Sequence, residues 1–442
     1  MAETEDLNNI LTRVGPDTAM GNLFRRFWHP ALLGAEVERD GSPVRLRILG
    51  EDLVAFRDTS GRIGIISAYC PHRGAPLYFG RNEDCGLRCV YHGWKFDVSG
   101  RCQDVPNIVP PDNFDKVKQR LSIIGYPVEE AGGIAWVYMG PLDHKPPLPN
   151  MAWLSLPPEQ VHVSRWLQRS NWAQGFEGEI DSAHLSFIHG LKNYKGTMQE
   201  VVMQDGAPKI VIRETETGFV YGARRDYNGG YYWRVTNWLL PTWSVTAPFV
   251  ESQGYHGRAW LPIDDEHTCS FAYKYQPNRP YTEEEIADTD SGWTFPPRIE
   301  KGTYALGDGT VIDTFLPIAN RENDYLIDRL SQQSVKYSGI YGINEEDRGI
   351  QEGMRMVPGR PGTIDRRFEN LVQSDAAILA ARRKLVKLAR EVDAGRNSEL
   401  GQSGDLPPLG AIGLVTPIAD FDELLAAYPE VMSQQKINIA AE

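Results

Sequence analysis

Cys70-Pro71-His72-Arg73-Gly74-Ala75 and, after sixteen residues counted from His72, Cys89-Val90-Tyr91-His92-Gly93-Trp94-Lys95-Phe96 form the most informative stretch of the chain. The pattern is C-x-H…C-x-x-H. Each half offers one thiolate and one imidazole on a short loop. Two such loops suit a tetrahedral zinc ion, or a [2Fe–2S] cluster with two cysteines on one iron and two histidines on the other. Zinc knuckles space their cysteines two to four residues apart, and the single residue between Cys70 and His72 fits that habit poorly. The cluster is the better reading.

The surroundings of these loops read as β-structure. Val44-Arg45-Leu46-Arg47-Ile48-Leu49 alternates with period two, Asp58-Thr59-Ser60-Gly61 and Val98-Ser99-Gly100 mark turns, and Gly133 to Met139 reads as a buried closing strand. Pro141 to Pro149 holds four prolines in nine residues and reads as a linker. Upstream, Leu7, Ile10, Leu11 and Val14 have helical spacing over Asp6 to Val14. Three zones are therefore expected: an N-terminal helical segment over 1–25 packing on the last zone, a small all-β domain over 26–145, and a larger domain over 150–442. In the last zone, strand-like runs at Lys209–Arg213, Phe219–Ala223, Tyr231–Leu240 and Cys269–Tyr275 lie between a helical zone at Asn171–His189 and a helix at Ser374–Val392. The expected class is α+β, with an antiparallel sheet flanked by helices in the large domain.

Composition narrows the function. The chain has 442 residues, 41% hydrophobic and 24% charged, which is ordinary for a globular protein and excludes wholesale disorder. It lacks an apolar run of about eighteen residues, so no membrane span is expected, and its acidic first residues lack the order of an export signal. A cytoplasmic address is the expectation. Forty-six basic against 59 acidic residues give a net charge of −13, which argues against nucleic-acid or anionic-membrane binding. Of five cysteines, four fall between Cys70 and Cys102, a clustering that points to metal chemistry rather than disulfides. Cys85, Cys102 and Cys269 read as ordinary thiols.

A second constellation lies roughly 90 residues downstream, in Asn171-Trp172…Glu177-Gly178-Glu179-Ile180-Asp181-Ser182-Ala183-His184-Leu185-Ser186-Phe187-Ile188-His189. Its core is D-x-x-H-x₄-H. Five residues on a regular helix separate two side chains by about 140°, so His184 and His189 share a metal only if the helix breaks or bulges between them. Two imidazoles and one carboxylate make the facial triad of non-haem Fe(II) oxygenases, with positions left open for O₂.

Together the two motifs resemble the Rieske non-haem iron ring-hydroxylating oxygenases, in particular the phthalate dioxygenase-like group of oxygenase alpha subunits. The likeness runs from Met20-Gly21-Asn22-Leu23-Phe24-Arg25-Arg26-Phe27-Trp28 to the C-terminal helices. Respiratory Rieske proteins carry two further cysteines where this chain has Ala75 and Tyr91, so the oxygenase branch is indicated. The resemblance implies that Cys70, His72, Cys89 and His92 hold a [2Fe–2S] cluster and that His184 and His189 bind mononuclear Fe(II). It implies a third iron ligand from a distant helix after an acidic pair. Glu346-Asp347-Arg348 fits that pattern, so Asp347 is the choice and Asp324 the runner-up. Asp181 is implied as a bridge rather than a ligand: it hydrogen-bonds a metal histidine and reaches a Rieske histidine of the neighbouring subunit, within a homo-trimer or stacked trimers.

Relatives in this branch act on aromatic carboxylates and aryl ethers. A carboxylate calls for a cation or hydroxyl on the pocket wall, and Ser182, Lys209, Arg213, Arg225 and Arg234 are the candidates. Tyr231, Tyr232, Trp233, Trp238 and Trp243 suit either a ring-binding pocket or the core. With no G-x-G-x-x-G fingerprint after a strand, NAD(P)H is expected to act only through a separate flavin/iron–sulfur reductase. The expected activity is that of a terminal oxygenase that uses O₂ to cis-dihydroxylate an aromatic carboxylate in aromatic-compound catabolism. An O-demethylase of the same family is the alternative, and a Rieske electron-transfer protein is the non-enzyme one.

Overall fold

The computed structural model describes residues 2–109, 114–192, 198–247, 254–396 and 410–432. The alternating run near residue 44 is a strand, Val44–Ile48, with Val44, Leu46 and Ile48 buried. It opens an antiparallel sheet ordered Val44–Ile48, Glu51–Arg57, Ile63–Ser67 and Gly125–Tyr126, whose central hairpin turns at Asp58–Gly61. In a second four-stranded sheet, Arg81–Glu83, Gly86–Arg88, Lys95–Phe96 and Cys102–Asp104, the Cys89 loop joins the two central strands, while the Cys70 loop lies on the connection from Ile63–Ser67 to this sheet. A third pairs Trp28–Leu33 and Val128–Ala131 with the fully buried strand Ile134–Tyr138.

The large sheet is antiparallel and eight-stranded. Its path runs Val161–Gln168, Thr268–Tyr275, Tyr255–Pro262, Trp243–Thr246, Gly230–Leu239, Gly218–Tyr227, Lys209–Thr215. Strand Gly230–Leu239 forks. Asn237–Leu239 pair with Trp243–Val245, while Tyr231–Val235 pair with the C-terminal strand Ile412–Thr416. Helices Trp172–Glu179 and Ile343–Gln351 pack together beside this sheet.

The long C-terminal helix spans Ala376–Asp393 and buries Ile378, Ala381, Leu385 and Leu388. It packs on helices Ala2–Thr12 and Ala19–Phe24. The first of these begins earlier and ends earlier than its apolar spacing suggests. Val14 lies beyond it, with its N–H donated to Asp265. The proline-rich connection is pinned rather than loose, since the Trp28 indole donates to the Pro146 carbonyl at 2.9 Å.

One continuous core contains Leu46, Ile65 and Trp136 from the small sheets together with Trp172, Phe176, Trp238 and Leu385. A separate small core of Val54, Phe56, Ile66, Leu77, Leu87, Trp94 and Phe96 lies under Cys70 and Cys89. Polar clasps join the two units: Arg45 forms a bidentate pair with Asp313, Arg47 reaches Asp308, and Arg165 grips Glu36 with two bonds of 2.6 Å. Asp308 and Asp313 lie in and beside the hairpin of strands Ile299–Ala305 and Val311–Pro317.

Candidate metal centres

The two cysteine loops repeat one hydrogen-bond pattern. Cys70 N–H donates to the Ala75 carbonyl and Gly74 N–H to the Cys70 carbonyl, at 2.8 and 2.9 Å; Cys89 with Trp94, and Gly93 with Cys89, show the same lengths. Gly74 and Gly93 have φ of 69° and 79°, a left-handed conformation that glycine adopts without strain. At Gly93 a Cβ would also stand 2.7 Å from Pro106. The loops bring His72 Nδ1 to 3.1 Å from His92 Nδ1, with the rings steeply inclined at 77°. Trp94 stacks on His72 and is itself held by a bond from its indole to Asn107.

Both sulfurs are buried, at 2% exposure. Burial pushes the Cys70 thiol up to about 11, and the neighbouring Cys89 adds to the rise. A thiolate pair in these apolar surroundings needs a cationic centre to balance it. Two converging imidazoles opposite two such sulfurs are the donor set of a histidine-ligated [2Fe–2S] cluster.

The second group begins at a helix that stops. Asn171 caps helix Trp172–Glu179 by accepting the Ala173 N–H. The helix closes at Ile180, so the continuous helical zone expected over Asn171–His189 is not formed. Asp181 accepts the Ala183 N–H and starts a short 3₁₀ turn, His184–Ser186, after which Phe187 leaves helical geometry. This break removes the 140° divergence, and the two histidine rings meet edge to face with centroids 5.2 Å apart. Helix Ile343–Gln351 brings Asp347 between them. Asp347 Oδ1 lies 3.7 Å from His184 Nε2 and 3.3 Å from His189 Nε2. One donor atom from each of the three lies within 4.8 Å of the others.

Each ring has its other nitrogen on a second carboxylate. His184 Nδ1 is 3.3 Å from Asp181, and His189 Nδ1 is 2.8 Å from Glu346. Such partners fix the Nδ1–H tautomer and leave Nε2 free to bind a metal. Burial opposes the charge on Asp347, yet His189, His184 and Arg258 hold its carboxyl down at about 2; burial likewise opposes the charge on His189, but Asp347 and Glu346 raise it to about 9. The carboxylates around the two rings thus favour a cation at this place. Two imidazoles and one carboxylate match the ligand set of a non-haem Fe(II) centre. Asp324 stands elsewhere, exposed in a left-handed turn at φ 51°.

A cavity adjoins the group, lined by Ser182, Arg234, His256, Arg258, Lys274 and Phe295 among others. Of the five residues proposed for a carboxylate, Ser182 and Arg234 reach it. Lys209 and Arg213 do not: both are exposed on the edge strand, and Arg213 is spent on Asp422. Arg225 is buried as a brace, donating to the Ser182 carbonyl, the Ser182 hydroxyl and the Asp205 carbonyl. The aromatic run serves the core, with Trp238 and Trp243 in the main cluster and Trp233 against Phe421.

Three lining residues escaped the sequence. Arg258 pairs with Glu179, bonds Asn344 at 2.7 Å and approaches Asp347. Lys274, 3% exposed, rests its ammonium on Thr294 at 2.8 Å and over the Phe295 ring, with no carboxylate in ion-pair contact among the described residues. Burial lowers it to about 8. His256 lies opposite Lys274 across the strand pair and is kept neutral by burial and by surrounding cations. The available signal was a lysine inside the otherwise uncharged run Thr268-Cys269-Ser270-Phe271-Ala272-Tyr273-Lys274-Tyr275.

Residues 27–120 match the Rieske [2Fe-2S] domain family, and residues 137–431 match the LigXa C-terminal domain-like family. The chain is 38% identical over 421 residues to the 3-chlorobenzoate-3,4-dioxygenase oxygenase subunit of Comamonas testosteroni, covering 92% of this chain and 91% of that one. It is 34% identical over 415 residues to the phthalate 4,5-dioxygenase oxygenase subunit of Pseudomonas putida, covering 89% and 88%. Among solved structures, the terminal oxygenase of carbazole 1,9a-dioxygenase from Novosphingobium sp. KA1 superposes with a TM-score of 0.54 at 20% identity, over 88% of this chain and 99% of that one.

Proposed function

The chain belongs to the Rieske non-haem iron oxygenases, in the group of the phthalate dioxygenase oxygenase subunits, and from that premise we propose that it is the terminal oxygenase for an aromatic carboxylate, fed by a separate NAD(P)H-dependent reductase. The observation that carries the substrate class is the cationic wall of the cavity beside His184, His189 and Asp347: Arg234, Arg258 and Lys274 line it together. Arg258 is already balanced by Glu179. Among the described residues Lys274 has hydroxyl hydrogen-bond partners and the Phe295 ring but no carboxylate in ion-pair contact, so an incoming carboxylate supplies a direct countercharge.

Cys70, His72, Cys89 and His92 hold the [2Fe–2S] cluster in this reading, and His184, His189 and Asp347 the mononuclear iron. When bound, the two centres supply single-electron delivery and O₂ activation. The chain's own residues do the rest. Arg234 and Lys274 orient the ring by its carboxylate, and Phe295 offers an apolar surface to the ring. Asp181 fixes the His184 tautomer from the outer side. Its side chain retains 21% exposure, which leaves it room to accept a second imidazole N–H from a neighbouring subunit in a trimeric ring. In the favoured reaction, O₂, two electrons and two protons add two hydroxyls to one face of the ring.

The test is turnover by the purified protein with a reductase, NADH and O₂ against benzoates, phthalates, methoxybenzoates and neutral analogues. Carboxylates should be turned over in preference to the matching amides. Lys274→Met should reduce kcat/KM for carboxylates about tenfold or more, the scale of one buried charge-assisted bond, and leave the amides unaffected. Equal use of acids and amides would overturn the substrate class. Formaldehyde released from methoxybenzoates, with no diol from benzoates, would replace dihydroxylation by O-demethylation.

A further inference from the structure

The two histidines of the mononuclear group are backed by different kinds of carboxylate. Asp181, behind His184, is partly exposed. Glu346, behind His189, has a side chain with no exposed surface. Its carboxylate takes three contacts: the His189 Nδ1–H at 2.8 Å, the Ser338 hydroxyl at 2.5 Å and the Lys336 ammonium at 3.1 Å. Lys336 is itself buried, with its ammonium over the Trp293 ring. The segment that supplies Lys336 and Ser338 is zipped to the residues just after His189, since Lys192 N–H donates to Val335 and Tyr337 N–H to Gly190.

A buried charge pair is a poor way to gain stability, because desolvation offsets most of the attraction. Its cost needs another return. A carboxylate accepting an imidazole N–H raises the basicity of the opposite nitrogen and fixes the ring's tautomer and plane. The Lys336 ammonium and the Ser338 hydroxyl pin the Glu346 carboxylate in place and fix its rotation. Glu346 and Asp347 are consecutive on one helix, so they hold the same ring at its two ends. The helix therefore sets ligand and backing carboxylate in a single step.

We propose that Glu346, with Lys336 and Ser338, is a positioning unit that sets how tightly the mononuclear centre retains its metal through His189, while Asp181 leaves that task for contact with another subunit. The proposal rests on His189 being a metal ligand.

The experiment uses full-length, cluster-loaded protein stripped of its mononuclear metal and titrated with Co(II), followed by the ligand-field spectrum. Glu346→Gln keeps an acceptor on His189 but removes the charge, and should weaken Co(II) binding 10–100-fold with a changed spectrum, at an unaltered cluster absorbance. Glu346→Asp should recover part of the affinity. Wild-type affinity and spectrum in Glu346→Gln, alongside a lowered melting temperature, would reduce Glu346 to a partner for Lys336 and overturn the proposal. If Glu346→Gln fails to fold, Ser338→Ala decides: weaker Co(II) binding at an unchanged melting temperature supports the unit, and wild-type binding overturns it. His189→Ala separates the two readings. Should it bind Co(II) like wild type, the ligand assignment falls; should it bind none while Glu346→Gln stays normal, only Glu346 loses its role.

Discussion

Asp181 commits one oxygen to the Ala183 N–H and the other to His184. Replacing it with asparagine keeps the size but turns one acceptor into a donor. In the proposed assignment the side chain ligates neither metal group, so Asp181→Asn should retain cluster and mononuclear iron and lose product formation about 100-fold, at the upper end of the effect of removing such a partner. Cluster absorbance, iron content and single-turnover product yield check this; turnover at the wild-type rate would make Asp181 a turn-forming residue alone. A different kind of single-residue control lies at His29, buried with its Nε2–H given to the Phe24 carbonyl. Burial lowers its pKa to about 4 from an ordinary 6.5. The native form refuses a proton that the unfolded chain accepts below 6.5, so this stability is complete above that pH and is lost as pH falls toward 4. By pH 5 the loss should reach about 2 kcal/mol. Urea titrations at pH 7.5 and pH 5 should show the wild type losing about 2 kcal/mol more unfolding free energy than His29→Gln between the two, and an equal loss in both would sink it.

At the scale of elements, the break after Glu179 does what the five-residue spacing of the histidines demands. The sequence made a break necessary but left its place open, because Ile180 and Asp181 are not helix breakers by propensity. What stops the helix is tertiary. Gly175 lies so close to Trp260 that an added Cβ would stand 2.5 Å from its ring, and Glu179 is held by Arg258 and Ser244. Gly175→Val should cost about 1–3 kcal/mol and also weaken mononuclear metal binding, since the helix end leads directly into Asp181 and His184. Thermal unfolding and iron content are the readouts; normal iron content in a destabilised variant would separate packing from the site. Four strands of the large sheet were legible in place, while Val161–Gln168, Trp243–Thr246, Tyr255–Pro262 and Ile412–Thr416 were not, and the faces were less legible still. Lys209 and Arg213 have the same strand parity as a pocket residue could have, yet they lie on the outermost strand, and only the order of strands puts Arg234, Arg258 and Lys274 on one cavity. Strand order depends on long-range pairing, which a local pattern does not encode.

For the whole molecule, the strands between residues 28 and 138 and those between residues 161 and 416 form separate sheets, yet the main core runs through both sets without a seam. Nothing in the local pattern marks Leu46 and Trp172 as parts of one cluster. The Glu36–Arg165 pair spans the units with both side chains only 4% exposed. Glu36→Ala leaves a buried guanidinium without its carboxylate and should cost about 3–5 kcal/mol, measured by urea unfolding; a loss below about 1 kcal/mol would mean that water reaches Arg165 after all. The undivided core has a further consequence, for inheritance. Recombination between relatives that exchanged the cluster-bearing third of the gene would separate Leu46, Ile65 and Trp136 from the partners they were selected against. The two halves of such a chain must then diverge in step, each amino-acid change on one side of the shared core narrowing what the other side tolerates.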